Sequence, residues 1–161
     1  MSGVEVRPAT VADAAGIARV HVQSWRETYT HLVEPGELDA LDIEARERRW
    51  AGLIAGDEVQ VWVAALDSAV VGWASTGRGR GGDAPRPLEL EGIYLLAAQH
   101  GSSAGQELLD AAIGDVPAFL WVADHNPRAT AFYRRNRFEF DGARQTHPLV
   151  RTPIVVRRMV R

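Results

Sequence analysis

Two stretches of this chain place chemically capable residues at useful spacing. In LELEGIYLL (88–96), Glu89 and Glu91 alternate with Leu88, Leu90 and Gly92, so both carboxylates face one side of a strand. Two acidic groups pointing the same way from a sheet need water, a partner or a task. HGSSAG (100–105) follows, a small-residue turn leading into the helical run QELLDAAIG. A helix opening on such a turn offers unpaired backbone N–H groups and a positive dipole end, the makings of an anion site. Gly101 and Gly105 permit close backbone approach, and the Ser102 and Ser103 hydroxyls add donors. An ordinary connecting turn has much the same composition, so this signal by itself is modest.

A second glycine-rich stretch competes with it. GRGRGGD (77–83) carries Gly77, Gly79 and Gly82 in the G-x-G-x-x-G order of a dinucleotide-binding turn. That fingerprint needs a strand in front and a helix directly behind. Here the residues behind, DAPRPLEL, contain two prolines and turn into a strand. The third glycine has no helix to pack, and a pyrophosphate no helix N-terminus to meet. A mobile hairpin loop is the expectation.

The surrounding elements follow from periodicity. VEVRP (4–8) reads as a strand, and Thr10 with Asp13 as an approximate capping box opening a helix from about Val11 to Tyr29. EPGELDAL (34–41) suggests a short helix, and Asp42 caps another from Ile43 to Ala55. VQVWVAAL (59–66) and AVVGWAST (69–76) form a hairpin around Asp67-Ser68. Leu88–Leu96, a helix from Ala104 to Ile113 and Ala118–Asp124 make a strand–helix–strand unit. Such a unit implies a parallel pair with a right-handed crossover. NPRATAFYRRN (126–136) is a helix with Asn126 as N-cap and Pro127 at its first position. FEFDGA and PIVVRRMV close the chain as strands, with His147 in a loop between them. The whole, residues 1–161, reads as one α/β domain without repeat or linker.

Composition narrows the chemistry. All 18 basic residues are arginine and the net charge is −3, which disfavours general binding to nucleic acid or membrane. There is no cysteine, hence no disulfide framework, thiolate metal site or cysteine nucleophile. No histidine spacing suggests a metal. MSGVEVRPAT has no apolar signal region, and no run approaches 18 apolar residues, so a cytoplasmic location is expected.

At IYLLAAQHGSSAGQELL and LWVADHNPRATAFYRRNRFEF the sequence resembles the GCN5-related N-acetyltransferases, the GNAT superfamily. The first stretch is similar to that family's strand, pyrophosphate loop and helix. The second is similar to its N-x-x-A-x-x-F-Y motif, with Asn126, Ala129, Phe132, Tyr133 and the later Phe138 on the matching positions. Element order along the whole chain agrees. The loop departs from the family's Gln/Arg-x-x-Gly-x-Gly/Ala, with His100 in the leading place and Ser103 where the middle glycine stands. Arg137 precedes Phe138 where glycine is common.

The resemblance implies a mixed, mostly antiparallel sheet with a central splayed parallel strand pair and helices on both faces. It implies transfer of an acetyl group from acetyl-CoA directly to a primary amine of a small molecule or peptide, with no metal. The backbone of Ile93, Tyr94 and Leu95 then pairs with the pantetheine arm, and His100, Gly101, Ser102, Ser103, Ala104 and Gly105 hold the pyrophosphate. Asn126 bonds the pantetheine amide region while also capping its helix. Tyr133 matches the general acid that protonates the departing thiolate. An alkyl ammonium has a pKa of about 10, so the acceptor must also lose a proton. Glu91, nearer the bend, and Glu89, at the position more often acidic in relatives, are both candidates to handle it, with His147 a weaker one. Trp25 and Tyr29, one turn apart on the first helix, are expected on the acceptor side, and Arg78 and Arg80 at the rim of the acceptor cleft or in a solvated loop. Relatives are often dimers, so a homodimer is an expected assembly. The alternative is an acetyl-CoA-binding regulatory domain without turnover, suggested by the altered loop. A nucleic-acid-binding module built on Arg134, Arg135, Arg137, Arg157, Arg158 and Arg161 is disfavoured by the net acidity.

Overall fold

A computed structural model describes residues 3–161. In chain order the elements are β1 (Glu5–Pro8), a 3-10 turn (Val11–Asp13), α1 (Ala14–Tyr29), α2 (Ile43–Ala55), β2 (Val59–Leu66), β3 (Ala69–Arg78) and β4 (Leu88–Leu95). A second 3-10 turn (Ala97–Gln99), α3 (Ala104–Ala112), β5 (Phe119–Ala123), α4 (Pro127–Arg135), β6 (Glu139–Leu149) and β7 (Thr152–Val160) complete it. The seven strands form one sheet in the order β1-β2-β3-β4-β5-β7-β6. Every neighbouring pair is antiparallel except β4 and β5.

Helices cover both faces, as the resemblance implies. On one face, Ile17 and Val20 of α1 and Trp50 of α2 pack on Val61, Val63 and Trp73. On the other, Leu108 and Leu109 of α3 and Tyr133 of α4 pack with Leu90, Leu120, Phe138 and Met159. Local chemistry sets the element ends. Asp13 receives the backbone N–H of Thr10 at 2.8 Å and a two-pronged contact from Arg7 at 2.8 and 2.9 Å. Asp42 accepts from the N–H of Ala45 at 3.0 Å and starts α2. Asp67 and Ser68 both take positive φ, 49° and 68°, the backbone of a two-residue hairpin turn.

Two expectations need correction. EPGELDAL forms turns, not a helix; Gly36 there has φ 87°, which interrupts helical geometry. The penultimate strand does not stop at Ala143. It runs to Leu149, and His147 lies within it, paired with Ile154 of β7.

Two irregularities position the site. The β3–β4 register slips between Ser75 and Thr76, which face Gly92 and Leu90, so Glu91 is the extra residue of a bulge. β4 and β5 share a single register pair, Glu89 with Phe119, and diverge beyond it.

The GRGRGGD segment leads into a loop that is tied down at several points. Gly79 N–H donates to Pro87 O at 2.7 Å, Arg158 pairs with Asp83 at 3.2 Å, and Arg86 Nε donates to Arg161 O at 3.0 Å. A Cβ on Gly79 would come within 2.6 Å of Arg86 O and 2.8 Å of the Phe119 ring. This glycine serves close packing.

Candidate active site

The divergence of β4 and β5 opens a cavity of about 880 Å³ between them. One wall is β4, from Leu90 through Glu91, Gly92, Ile93 and Tyr94 to Leu95. The other is Trp121, Val122 and Ala123 of β5 with Asn126, Ala129, Phe132 and Tyr133 around α4. His100, Gly101, Ser102 and Gly105 line the same cavity, as do Tyr29 and His31 from the end of α1 and beyond. Because β4 and β5 pair only at Glu89, the edge of β4 that faces β5 carries no ladder from Leu90 onward.

The loop before α3 has the conformation an anion cradle needs. Gly101 takes φ 81°, where a side chain would be strained. Ser103, in place of a glycine, has φ −71° and ψ −12°, an ordinary helical conformation. The departure from the family pattern therefore costs no backbone strain. Its hydroxyl turns away to Glu107 Oε1 at 2.5 Å. Ser102 Oγ accepts from the N–H of Ala104 at 3.3 Å and donates to Gln99 O at 2.7 Å. The next N–H groups belong to the first turn of α3 and have no intrahelical acceptor. Arg128 of α4 reaches across to the His100 ring, so a guanidinium stands beside the leading residue of the loop.

Asn126 caps α4, its side chain accepting from the N–H of Ala129 at 3.3 Å. Tyr133 is largely buried, at 8% exposure, and lines the cavity. Burial, helped by nearby Tyr94, pushes the phenol well above the ordinary tyrosine value, so it stays protonated at neutral pH. Tyr94 and Tyr29 are joined hydroxyl to hydroxyl at 2.9 Å.

The two strand carboxylates have different fates. Glu89 is 2% exposed and lies outside the cavity lining. Arg80 holds it, with Nη2 2.5 Å from Oε2 and the Arg80 N–H 3.2 Å from Oε1. Glu91 lines the cavity, and burial raises its pKa above the usual carboxylate value despite Arg80 nearby. His147 hydrogen-bonds Gln145 at 2.6 Å on exposed β6 and is not part of the lining.

Three further sequence candidates also miss the cavity lining: Trp25, Ser103 and Ala104. Trp25 packs edge-on against His21 at 4.7 Å and Tyr29 at 5.9 Å. It belongs to an aromatic cluster with Trp50, Trp73 and Tyr94, where burial depresses the His21 pKa to about 3. Ala104 is fully buried in the core at the start of α3. Conversely, Trp121, Arg128 and His31 line the cavity without having stood out in sequence. For Trp121 the signal was alternation, since it lies two residues from Phe119 and from Ala123 on a strand known to border the cleft.

The Acetyltransferase (GNAT) family model matches residues 20–138. The chain is 31% identical to YuaI, an uncharacterized N-acetyltransferase of Bacillus subtilis, over 88% of each chain. It is 25% identical to Rv2775, a probable N-acetyltransferase of Mycobacterium tuberculosis, over 88% of this chain and 83% of that protein. Its fold is similar to that of the PaiA N-acetyltransferase of Thermoplasma acidophilum, solved with coenzyme A. There the TM-score is 0.76 at 17% identity, over 99% of both chains. The ribosomal-protein-alanine N-acetyltransferase of Brucella melitensis gives a TM-score of 0.74 at 23% identity, over 98% of both. With the family match spanning the splayed strands, the loop and the Asn126–Phe138 motif, this chain belongs to the GNAT family of acetyltransferases.

Proposed function

We propose that the chain transfers an acetyl group from acetyl-CoA to a primary amine of a small molecule or peptide. The observation that carries this reading is the unladdered edge of β4 facing an open cavity, with a positive-φ glycine turn and a helix start at one end. The exposed strand edge suits the amides of the pantetheine arm. The first turn of α3, with Arg128 opposite, suits the pyrophosphate. Coenzyme A in the crystal structure of the PaiA relative supports the same assignment.

Bound acetyl-CoA supplies the acetyl thioester, and the protein arranges the proton traffic. Glu91 takes a proton from the acceptor ammonium, directly or through water, leaving the nitrogen lone pair free to attack the carbonyl carbon. As the new C–N bond forms and the C–S bond breaks, the Tyr133 hydroxyl donates its proton to the sulfur, and the second nitrogen proton, made acidic by acylation, passes to the tyrosinate directly or through water, so amide, thiol and neutral phenol result. Burial gives the Glu91 carboxylate a raised proton affinity, which suits its role; it keeps the Tyr133 phenol neutral but makes it a weaker acid, so its donation is coupled to charge building on the sulfur.

Isotope-labelled acetyl-CoA with a panel of amines tests the reading. Label appearing in an amine product supports it. Tight acetyl-CoA binding with no transfer to any amine would instead favour the regulatory domain. The absence of lysine keeps the assay clean, because the chain has no lysine side chain to self-acetylate.

A further inference from the structure

We propose that Arg80 is a positioning residue for acetyl transfer: it reaches in from solvent to pair with the buried Glu89 carboxylate and leaves Glu91 as the proton-accepting carboxylate of the cleft. This rests on the reading of Glu91 given above. The two carboxylates share a side of β4, but the bulge at Glu91 separates their surroundings. Glu89 receives the Arg80 backbone N–H at 3.2 Å and its guanidinium at 2.5 Å. Glu91 receives only the flank of the same guanidinium, with Nε 3.9 Å from Oε2. The guanidinium is thus committed to one acid and adjacent to the other.

The commitment is built into the loop. Arg80 follows Gly79, which is packed against Arg86 O and Phe119, and the segment is anchored again through Asp83 and Arg86. The Arg80 side chain is 67% exposed, so it enters from solvent to meet a carboxylate that is 2% exposed. A buried carboxylate left without that partner would be strongly disfavoured. The charged groups acting on Glu91 are Arg80 from this loop, Glu89 from its own strand and Arg49 from α2. Its neighbours on β3, Ser75, Thr76 and Gly77, are uncharged, and so is Trp121 across the cavity.

Activity falls on acidification as the proton acceptor becomes protonated. Removing the Arg80 cation raises the proton affinity of Glu91, whereas removing the Glu89 anion lets the cation act on Glu91 alone and lowers it. The test is the pH dependence of kcat in wild type, Arg80→Gln, Glu89→Gln, the double variant and Arg80→Lys, with Tm measured for each. The expected result is an acid limb displaced by about one unit to higher pH in Arg80→Gln and to lower pH in Glu89→Gln. The double variant should fall between them, and Arg80→Lys should return toward wild type.

Folded Arg80→Gln and Glu89→Gln proteins whose limb stays at the wild-type pH, whatever their kcat, would overturn the proposal and leave only a structural ion pair. If Arg80→Gln does not fold, Glu89→Gln alone decides, since its limb must move to lower pH. Glu91→Gln separates the two levels. Unchanged kcat there would remove Glu91 as proton acceptor, and this proposal with it. Lost kcat with immobile limbs in the other variants would overturn the role of Arg80 alone.

Discussion

The chain contains two glycine-rich loops on either side of β4, and they do opposite things. Residues 77–82 spell a phosphate-binding fingerprint, yet Gly79 is there to pack against Phe119 and Arg86, and Arg80 turns inward to a carboxylate. Residues 100–105 spell the fingerprint poorly, yet Gly101 supplies the positive φ and α3 begins directly behind. What distinguishes them is the element that follows. A helix presents aligned N–H groups to an anion; a strand uses its own in the ladder.

Substitutions in the two loops sharpen that contrast. The largest effect is expected from Ser102→Asp, which sets a carboxylate at the head of α3. It should weaken acetyl-CoA by roughly 100-fold in calorimetry, while Gly82→Asp in the other loop changes affinity by less than about twofold. Equal losses from both would break the distinction. Gly79→Ala should leave acetyl-CoA affinity alone but destabilise the fold by about 1–3 kcal/mol in denaturant titration, because its Cβ has no room. Gly101→Val should reverse that pattern. A β-branched residue at φ 81° costs about 1–2 kcal/mol locally, read as roughly tenfold weaker acetyl-CoA binding. Ser103→Gly should matter least, within about threefold, since Ser103 already has helical dihedrals. A large gain in affinity there would show that the serine obstructs the cradle.

Between these loops the sequence was informative where the physics is local. The strand, turn and helix over 88–112, the Asp42 cap and the Asn126 cap each depend on neighbours within a few residues. The corrections come from longer range. Arg80 reaches Glu89 only because the loop folds back on the strand it precedes, a pairing that neither the cleft-rim nor the solvated-loop expectation contained. The separation of Glu89 from Glu91 needs a bulge whose extra residue shows only in the β3–β4 register. Trp25 satisfied the helical spacing but was captured by an aromatic cluster contributed by α2, β3 and β4.

That cluster brings its own pH dependence. His21 donates no charge at neutral pH; its Nδ1 accepts the Trp50 indole N–H at 3.2 Å. Its folded pKa, about 3, lies below the ordinary value of 6.5, so protonation favours the unfolded chain. The associated stability is fully present above pH 6.5 and declines as pH falls toward 3. His21→Asn should therefore flatten the loss of Tm between pH 6.5 and 5.

The single register pair joining β4 to β5 also has a mechanical meaning. Across its midline the sheet is fastened at one end and unfastened at the other, like a partly closed zipper. A ligand that pairs with the free edge of β4 and touches α4 would act as the missing teeth. Saturation should then slow amide hydrogen exchange on both sides of the seam, including strands that never touch it. In this geometry the molecule that is consumed is also, while bound, part of the framework.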